Sequence, residues 1–135
     1  MSYGVSAALQ AAIYQRLTSS SALVSLVGDA VYDNPPSGTL PGTYVSLGPE
    51  DVRDRSDGQG HGALHTFTIS VVTDAAGFQT AKTIAAVISD RLVDADLRLS
   101  RGKLIYLNFE RAIARRVGNS ETRRIDLRFR ARVED

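Results

Sequence analysis

The last fourteen residues, TRRIDLRFRARVED, constrain the fold more than any other stretch of the chain. Every second position is apolar: Ile125, Leu127, Phe129, Ala131 and Val133. The positions between carry Arg124, Asp126, Arg128, Arg130 and Arg132. A helix would scatter the two sets around its circumference, whereas a strand separates them cleanly, because successive side chains point to opposite faces. The pattern requires a sheet with one face packed on something apolar and the other left bare. It also poses the functional question: a row of guanidinium groups must meet water, nucleic acid or the acidic surface of another molecule.

The rest of the chain supplies what such a sheet needs. In AALQAAIYQRL, Leu9, Ala12, Ile13, Arg16 and Leu17 share roughly one side of a helix, with Ser6 placed to cap it. A second short helical stretch, SALVSLVG, stops at Gly28. AVY and TYVSLG read as strands on either side of DNPPSGTLPG, whose prolines and glycines demand an extended arm or loop. ALHTFTISVVT alternates as a long strand with His65, Phe67, Ile69 and Val71 on one face. Phe78, Ala81, Ile84, Ala85, Ile88 and Leu92 then recur at three- and four-residue steps in the clearest helix, for which Asp74 is a candidate cap. KLIYLNFERAIARRV, with Ile105, Leu107, Phe109 and Ile113 on one face, pairs through the turn residues VGNSE with the closing strand.

This order predicts an α+β domain: a largely antiparallel sheet of about five strands, with two main helices packed on one face. The 135 residues, 43% hydrophobic, suffice for one core, so residues 1–135 are read as a single domain. Residues 49–62, PEDVRDRSDGQGHG, are polar and glycine-rich without apolar periodicity, and are expected to form a mobile loop. With 16 basic and 15 acidic side chains the net charge is only +1, too little for a protein that coats nucleic acid through bulk charge. The charges are unevenly placed. Arginines crowd the C-terminal quarter, and acids gather at Asp29, Asp33, Glu50, Asp51, Asp54 and Asp57. There is no cysteine, which excludes disulfides and thiolate chemistry, and no apolar run of membrane-spanning length or secretory leader, so a soluble chain is expected.

Catalytic signatures are absent. His61 and His65 in HGALH have half of a zinc-protease spacing, but no glutamate lies between them and the stretch enters a strand rather than a helix. DGQGHG resembles a phosphate-cradling loop, yet no helix N-terminus follows it. Glu50 and Asp51 lie outside any apolar pocket that would raise a carboxyl pKa. The sequence therefore implies no enzyme, no cofactor and no metal. The C-terminal arginine face has no interleaved aromatics of the kind that stack on single-stranded bases. Contact with another subunit is favoured for it, since arginine is enriched at interfaces and forks well onto carboxylates. The alternatives are a solvated face that blunts edge aggregation and a small nucleic-acid-binding module using the same arginines on phosphates.

Three stretches together carry a family resemblance: LQAAIYQRLTSSSALVSLVGDAVYDNPPSGTLPGTYVSLG, then HTFTISVVTDAAGFQTAKTIAAVISDRL, then LSRGKLIYLNFERA before the charged final strand. In that order, over nearly the whole chain, they resemble the tail-terminator (tail-completion) proteins of long-tailed bacteriophages and gene transfer agents, with overall similarity favouring the latter. The matching positions are core and turn residues, so they speak for fold and role rather than for a site. The resemblance implies a structural protein of a virion or phage-like particle, assembled in the bacterial cytoplasm and placed at the tail-neck junction. It implies a hexameric ring that caps the head-proximal end of the tail tube and halts its polymerisation. The implied partners are further copies of the chain, the major tail tube protein, the head-completion (stopper) protein and DNA passing through without sequence-specific binding. No membrane is implied. On this reading Arg124, Arg128, Arg130 and Arg132 would pair with a neighbouring subunit's carboxylates, with Asp51, Asp54 and Asp57 as candidates. Arg53 and Arg55 would join the interface from the same polar loop, and the Asn34–Pro41 arm would reach along the ring.

Overall fold

The computed structural model describes residues 3–33, 35–58 and 60–135. The elements follow one another as α1 (Ser6–Thr18), α2 (Ser21–Val27), β1 (Val31–Tyr32), β2 (Thr43–Asp54), β3 (Gly62–Thr73), α3 (Gln79–Leu92), β4 (Lys103–Arg116) and β5 (Arg123–Glu134). The five strands form one sheet in the order β1-β2-β3-β5-β4. Only the two-residue β1 runs parallel to its neighbour, and the other pairings are antiparallel. This is the α+β architecture that the alternation and helical stripes require. No helix among the described residues is long and apolar enough to cross a membrane.

The core lies between the helices and one face of the sheet. Leu9, Ile13 and Leu17 of α1 and Ala81, Ile84, Ile88 and Leu92 of α3 are buried against Ile125, Leu127, Phe129, Ala131 and Val133 of β5 and Phe67, Ile69 and Val71 of β3. Phe129 sits at the centre with no exposed surface. Its ring lies 5.7 Å from Phe67, stacked, and 5.9 Å from Phe109, edge-on. Such a run of aromatics across neighbouring strands adds to the burial energy through ring-ring contacts. The apolar half of the C-terminal pattern thus faces the helices, as its alternation predicts.

Several local expectations are corrected. Ser6 is the first residue of α1 rather than its cap: Val5 occupies the cap position, and the Ser6 hydroxyl is turned onto Glu50 instead. Asp74 does not cap α3, which begins five residues later after Phe78. The Asp74 amide N–H donates instead to the Gly42 carbonyl. By contrast the α2 stop holds, with Gly28 closing the helix at φ 62°, while Ser20 caps its start by accepting from the Leu23 amide at 3.3 Å.

The segment 49–62 is not one loop. After a register shift between Leu47 and Glu50, β2 continues to Asp54, pairing Glu50 to Asp54 with Phe67 to Ala63 of β3. The connection shrinks to residues 55–61 and is closed by the Arg55 N–H to the Gly62 carbonyl at 2.7 Å. Asn34, where the proline-rich arm begins, and Gln59 in this connection lie outside the described residues.

The apolar row expected in β4 also breaks up. Register shifts between Leu104 and Tyr106 and between Phe109 and Arg111 insert one extra residue each, a β-bulge that reverses the phase of the residues beyond it. Leu107 and Phe109 stay on the helix side opposite Ala131 and Phe129, but Ile113 lands opposite Asp126 on the other face.

Candidate functional site

The face of the sheet away from the helices collects the residues of interest row by row. Strand pairing sets Arg124 between Val72 and Arg115, Asp126 between Ser70 and Ile113, and Arg128 between Thr68 and Arg111. Arg130 lies between Thr66 and Asn108, with Asp51 next in line on β2, and Arg132 lies between Leu64 and Tyr106, with Arg53 beyond Leu64. Residues in register across antiparallel strands share a face, so seven arginines come from three strands onto one surface. Arg111 and Arg115 are not among the residues expected from the C-terminal strand alone. The hairpin register is the signal that would find them.

These cations are not equivalent. Arg124 Nε donates to Asp126 Oδ1 at 2.8 Å and its Nη2 to the Ser70 hydroxyl at 3.0 Å, while the Ser70 hydroxyl donates to Asp126 at 2.6 Å. Arg115 approaches the same carboxylate at 3.8 Å. Burial by itself would push the Asp126 carboxyl up, but the Ser70 and Arg124 hydrogen bonds and the two guanidinium charges outweigh it and hold the pKa below the ordinary range. Asp126 is thus an internal counter-ion that ties β3 to β5 and leaves Arg124 half-buried.

Arg132 is likewise committed, its Nη2 donating to the Arg55 carbonyl at 2.7 Å and pinning the β2–β3 connection. Arg128 makes a looser pair with Glu110 at 3.4 Å. Arg130 and Arg111 have no ion pair or hydrogen bond among the described residues, and both are exposed. A shallow concavity around Arg130 is lined by Asp51, Arg53, Arg55, Glu110 and Arg128.

The three acids expected to serve a neighbouring copy occupy different settings. Asp51 stands on the arginine face itself, 3.7 Å from Arg53. Asp54 accepts from both the amide and the hydroxyl of Ser56, which stabilise its charged form and lower its pKa. Asp57 lies in the connection, its amide bonded to the Gly60 carbonyl at 3.1 Å. Arg55 donates to the neighbouring Asp54 carbonyl at 2.9 Å. The structure therefore brings Asp51, Arg53, Arg55, Arg128, Arg130 and Arg132 to one end of the open face, and sets Asp54 and Asp57 at its border.

A second polar group lies on the helix side, where no sequence motif announces it. His65 has no exposed surface, and its Nδ1 is 3.0 Å from Glu50 Oε2. Glu50 Oε1 accepts from the Tyr3 hydroxyl at 2.5 Å and the Ser6 hydroxyl at 2.7 Å. Burial raises the Glu50 pKa, but the hydrogen bonds from Tyr3, His65 and Ser6 prevail and the net shift is downward. The Ser6 hydroxyl is bonded to Glu50 rather than to the imidazole, so the group lacks the histidine-to-hydroxyl contact of an activated nucleophile. The cluster instead fastens the start of α1 to the distal half of β2. Among the described residues no group of three or more His, Cys, Asp or Glu side chains is placed to hold a metal ion.

Comparison with known proteins places this arrangement. The profile of the family described as "Tail completion protein gp17" matches residues 11–134. A chain in the solved structure described as the virion of a native gene transfer agent particle is 64% identical, with a TM-score of 0.94 over 99% of this chain and 100% of that one. No curated protein gives a significant sequence match.

Proposed function

The chain belongs to the tail completion protein gp17 family, and from that premise we propose that it is the structural subunit of a ring, six copies around, at the head-proximal end of a phage-like tail tube. The ring stops tube polymerisation, joins the tube protein below to the head-completion protein above and lets DNA pass through its middle. The close likeness to a chain of a gene transfer agent virion supports a particle of that type, completed in the bacterial cytoplasm and retaining the protein at its tail-neck junction.

The observation that carries the reading, beside the family, is the open sheet face itself. Helices cover one side of the sheet, and the other presents guanidinium groups, of which the exposed Arg111 and Arg130 lack internal partners among the described residues. A surface built so regularly and left unfilled suits contact with another protein of the neck or with a sister subunit. Arg124 and Arg132 are held by Asp126 and the Arg55 carbonyl, so recognition of a partner carboxylate falls mainly to Arg111 and Arg130, with Arg128 in only a loose pair with Glu110. Arg53, Arg55 and Asp51 flank them, and Asp54 and Asp57 offer carboxylates to the neighbour at the border.

The test is charge reversal. Arg128→Glu with Arg130→Glu is expected to keep the fold, since both side chains are exposed, and to give tail tubes of irregular length or particles with unjoined heads and tails. Particles of normal length and full joining, with the doubly substituted protein in place, would overturn the role assigned to this face.

A further inference from the structure

The two edges of the sheet differ in a way that the open face does not explain. At one edge, β4 is the terminal strand. Up to Leu107 it is anchored, the Asp94 N–H donating to the Leu107 carbonyl where α3 ends. Beyond that point all eight residues from Phe109 to Arg116 are exposed. Along this edge Ile105, Phe109, Ile113 and Val117 are 46%, 43%, 42% and 36% exposed. The bulges place Phe109 on the helix side and Ile113 on the arginine side. The strand thus shows partly exposed apolar side chains on both faces over this stretch, Phe109 and Ile113, a pattern that belongs to a strand destined for burial. Its charged residues there are Glu110, Arg111, Arg115 and Arg116, three of four basic.

At the other edge β1 covers only Val45 and Ser46 of β2, so among the described residues the remainder of β2 has no strand on its outer side. Between that strand and α1 runs a groove lined by Tyr3, Ala7, Ala11, Tyr14, Asp33 and Leu47. Tyr3 and Tyr14 are exposed along it. The charges placed there among the described residues are acidic: Asp33 lines the groove, and the Glu50 carboxylate lies beside it, bonded to the Tyr3 and Ser6 hydroxyls. The two edges are thus unlike each other, apolar in part, and opposite in charge.

We propose that the β4 edge of one copy seats in the groove between α1 and β2 of a second copy, burying Phe109 and Ile113 and setting Arg111 against its acidic rim. The occupant is another copy because the charge asymmetry is built into the same chain, with a basic edge and an acidic edge on opposite sides of one sheet. Unlike surfaces meeting head to tail generate a closed ring or an open helix, never a two-fold dimer. This proposal rests on the ring reading and deepens it: the contact between copies lies along the sheet edges, which leaves Arg130 and its neighbours available to other partners.

The absence of cysteine makes the test direct, because an introduced pair supplies the only thiols. Three strand spacings of about 4.8 Å separate β2, beside the groove, from β4, roughly 14 Å, so thiols introduced at Ile113 and Tyr14 cannot form a disulfide within one chain. The protein carrying Ile113→Cys with Tyr14→Cys is assembled on tail tubes, oxidised and run on a non-reducing gel. A ladder of covalent multimers, absent from either single substitution, is the expected result. Arg130→Cys with Asp51→Cys serves as the comparison for a contact through the open face. Regular, capped tubes with several copies at each tip and a ladder only in that second pair, or in neither, would overturn the edge contact while leaving the ring. A single copy per tube tip, counted by mass, would overturn the ring reading and the edge contact together.

Discussion

On sequence grounds Glu50 is a loop carboxylate, yet the structure makes it the residue on which a buried histidine depends. Nothing local reveals the link: fifteen residues separate Glu50 from His65, and the contact exists only because β2 continues past its bulge to pair with β3. Among the described residues the His65 Nε2 already lacks a hydrogen-bond partner, so removing the Glu50 acceptor strands the second ring nitrogen as well. Glu50→Leu is expected to cost about 1–3 kcal/mol at neutral pH, read from the midpoint of urea unfolding. The pH dependence has a definite sign. The folded pKa of Glu50 lies below its ordinary value, so its carboxylate contributes stability above the unfolded carboxyl range, and that contribution is lost as the pH falls through the folded value. Glu50→Gln cannot titrate there. The stability gap between the natural protein and Glu50→Gln should therefore narrow below about pH 4.3. A gap of constant size down to pH 3 would show that the charge of Glu50 contributes nothing to the fold.

Elements were legible wherever a period was. The alternation in β3 and β5 and the three- and four-residue steps in α1 and α3 each report a face buried against the core, and all four elements lie where those periods put them. What escaped was anything set by phase or by backbone pairing. The single residue inserted at Glu110 moves Ile113 across the sheet from Leu107 and Phe109, and a bulge leaves no mark in composition. Residues 49–54 lack an apolar alternation, yet they are strand because β3 offers them a ladder. Turns were better signalled, and two glycines show how differently such signals are enforced. Gly102 and Gly118 both have positive φ, 75° and 59°. At Gly118 an added Cβ would meet nothing within 4 Å, whereas at Gly102 it would come 2.6 Å from the Glu134 carbonyl oxygen and 2.7 Å from a Val5 methyl. Gly118→Ala should cost only the left-handed backbone term of about 1–2 kcal/mol. Gly102→Ala should cost clearly more, because the clash is with the backbone at the end of β5, beside the start of β4, as well as with Val5 of the core. Equal thermal shifts for the two substitutions would contradict the packing described at Gly102.

At the scale of the whole molecule, the rival reading of the arginine face as a phosphate clamp can be separated by salt. The net charge of +1 provides little long-range attraction. Within the face, Asp51 lies beside Arg53, Asp126 beside Arg124 and Arg115, and Glu110 beside Arg128, while Arg132 is turned onto a backbone carbonyl. That leaves Arg111 and Arg130 as the guanidinium groups ready to displace counter-ions without first giving up an internal contact. Two phosphate contacts correspond to a slope of about −1.8 in the logarithm of the binding constant against that of salt concentration. Raising salt from about 50 to 200 mM should then weaken binding of the isolated chain to a short DNA duplex by roughly tenfold, from an affinity already no tighter than ordinary non-specific binding. Fluorescence anisotropy of a labelled duplex reads this directly. A protein that clamps phosphates with the whole face would lose on the order of a thousandfold or more over the same range, and that outcome would move the assignment from protein contact to nucleic-acid binding. If instead the small slope is found and Arg111→Ala with Arg130→Ala removes it, the charge on this face is mostly spent inside the subunit, and DNA passing through a ring of such subunits would be held by no strong attraction to them.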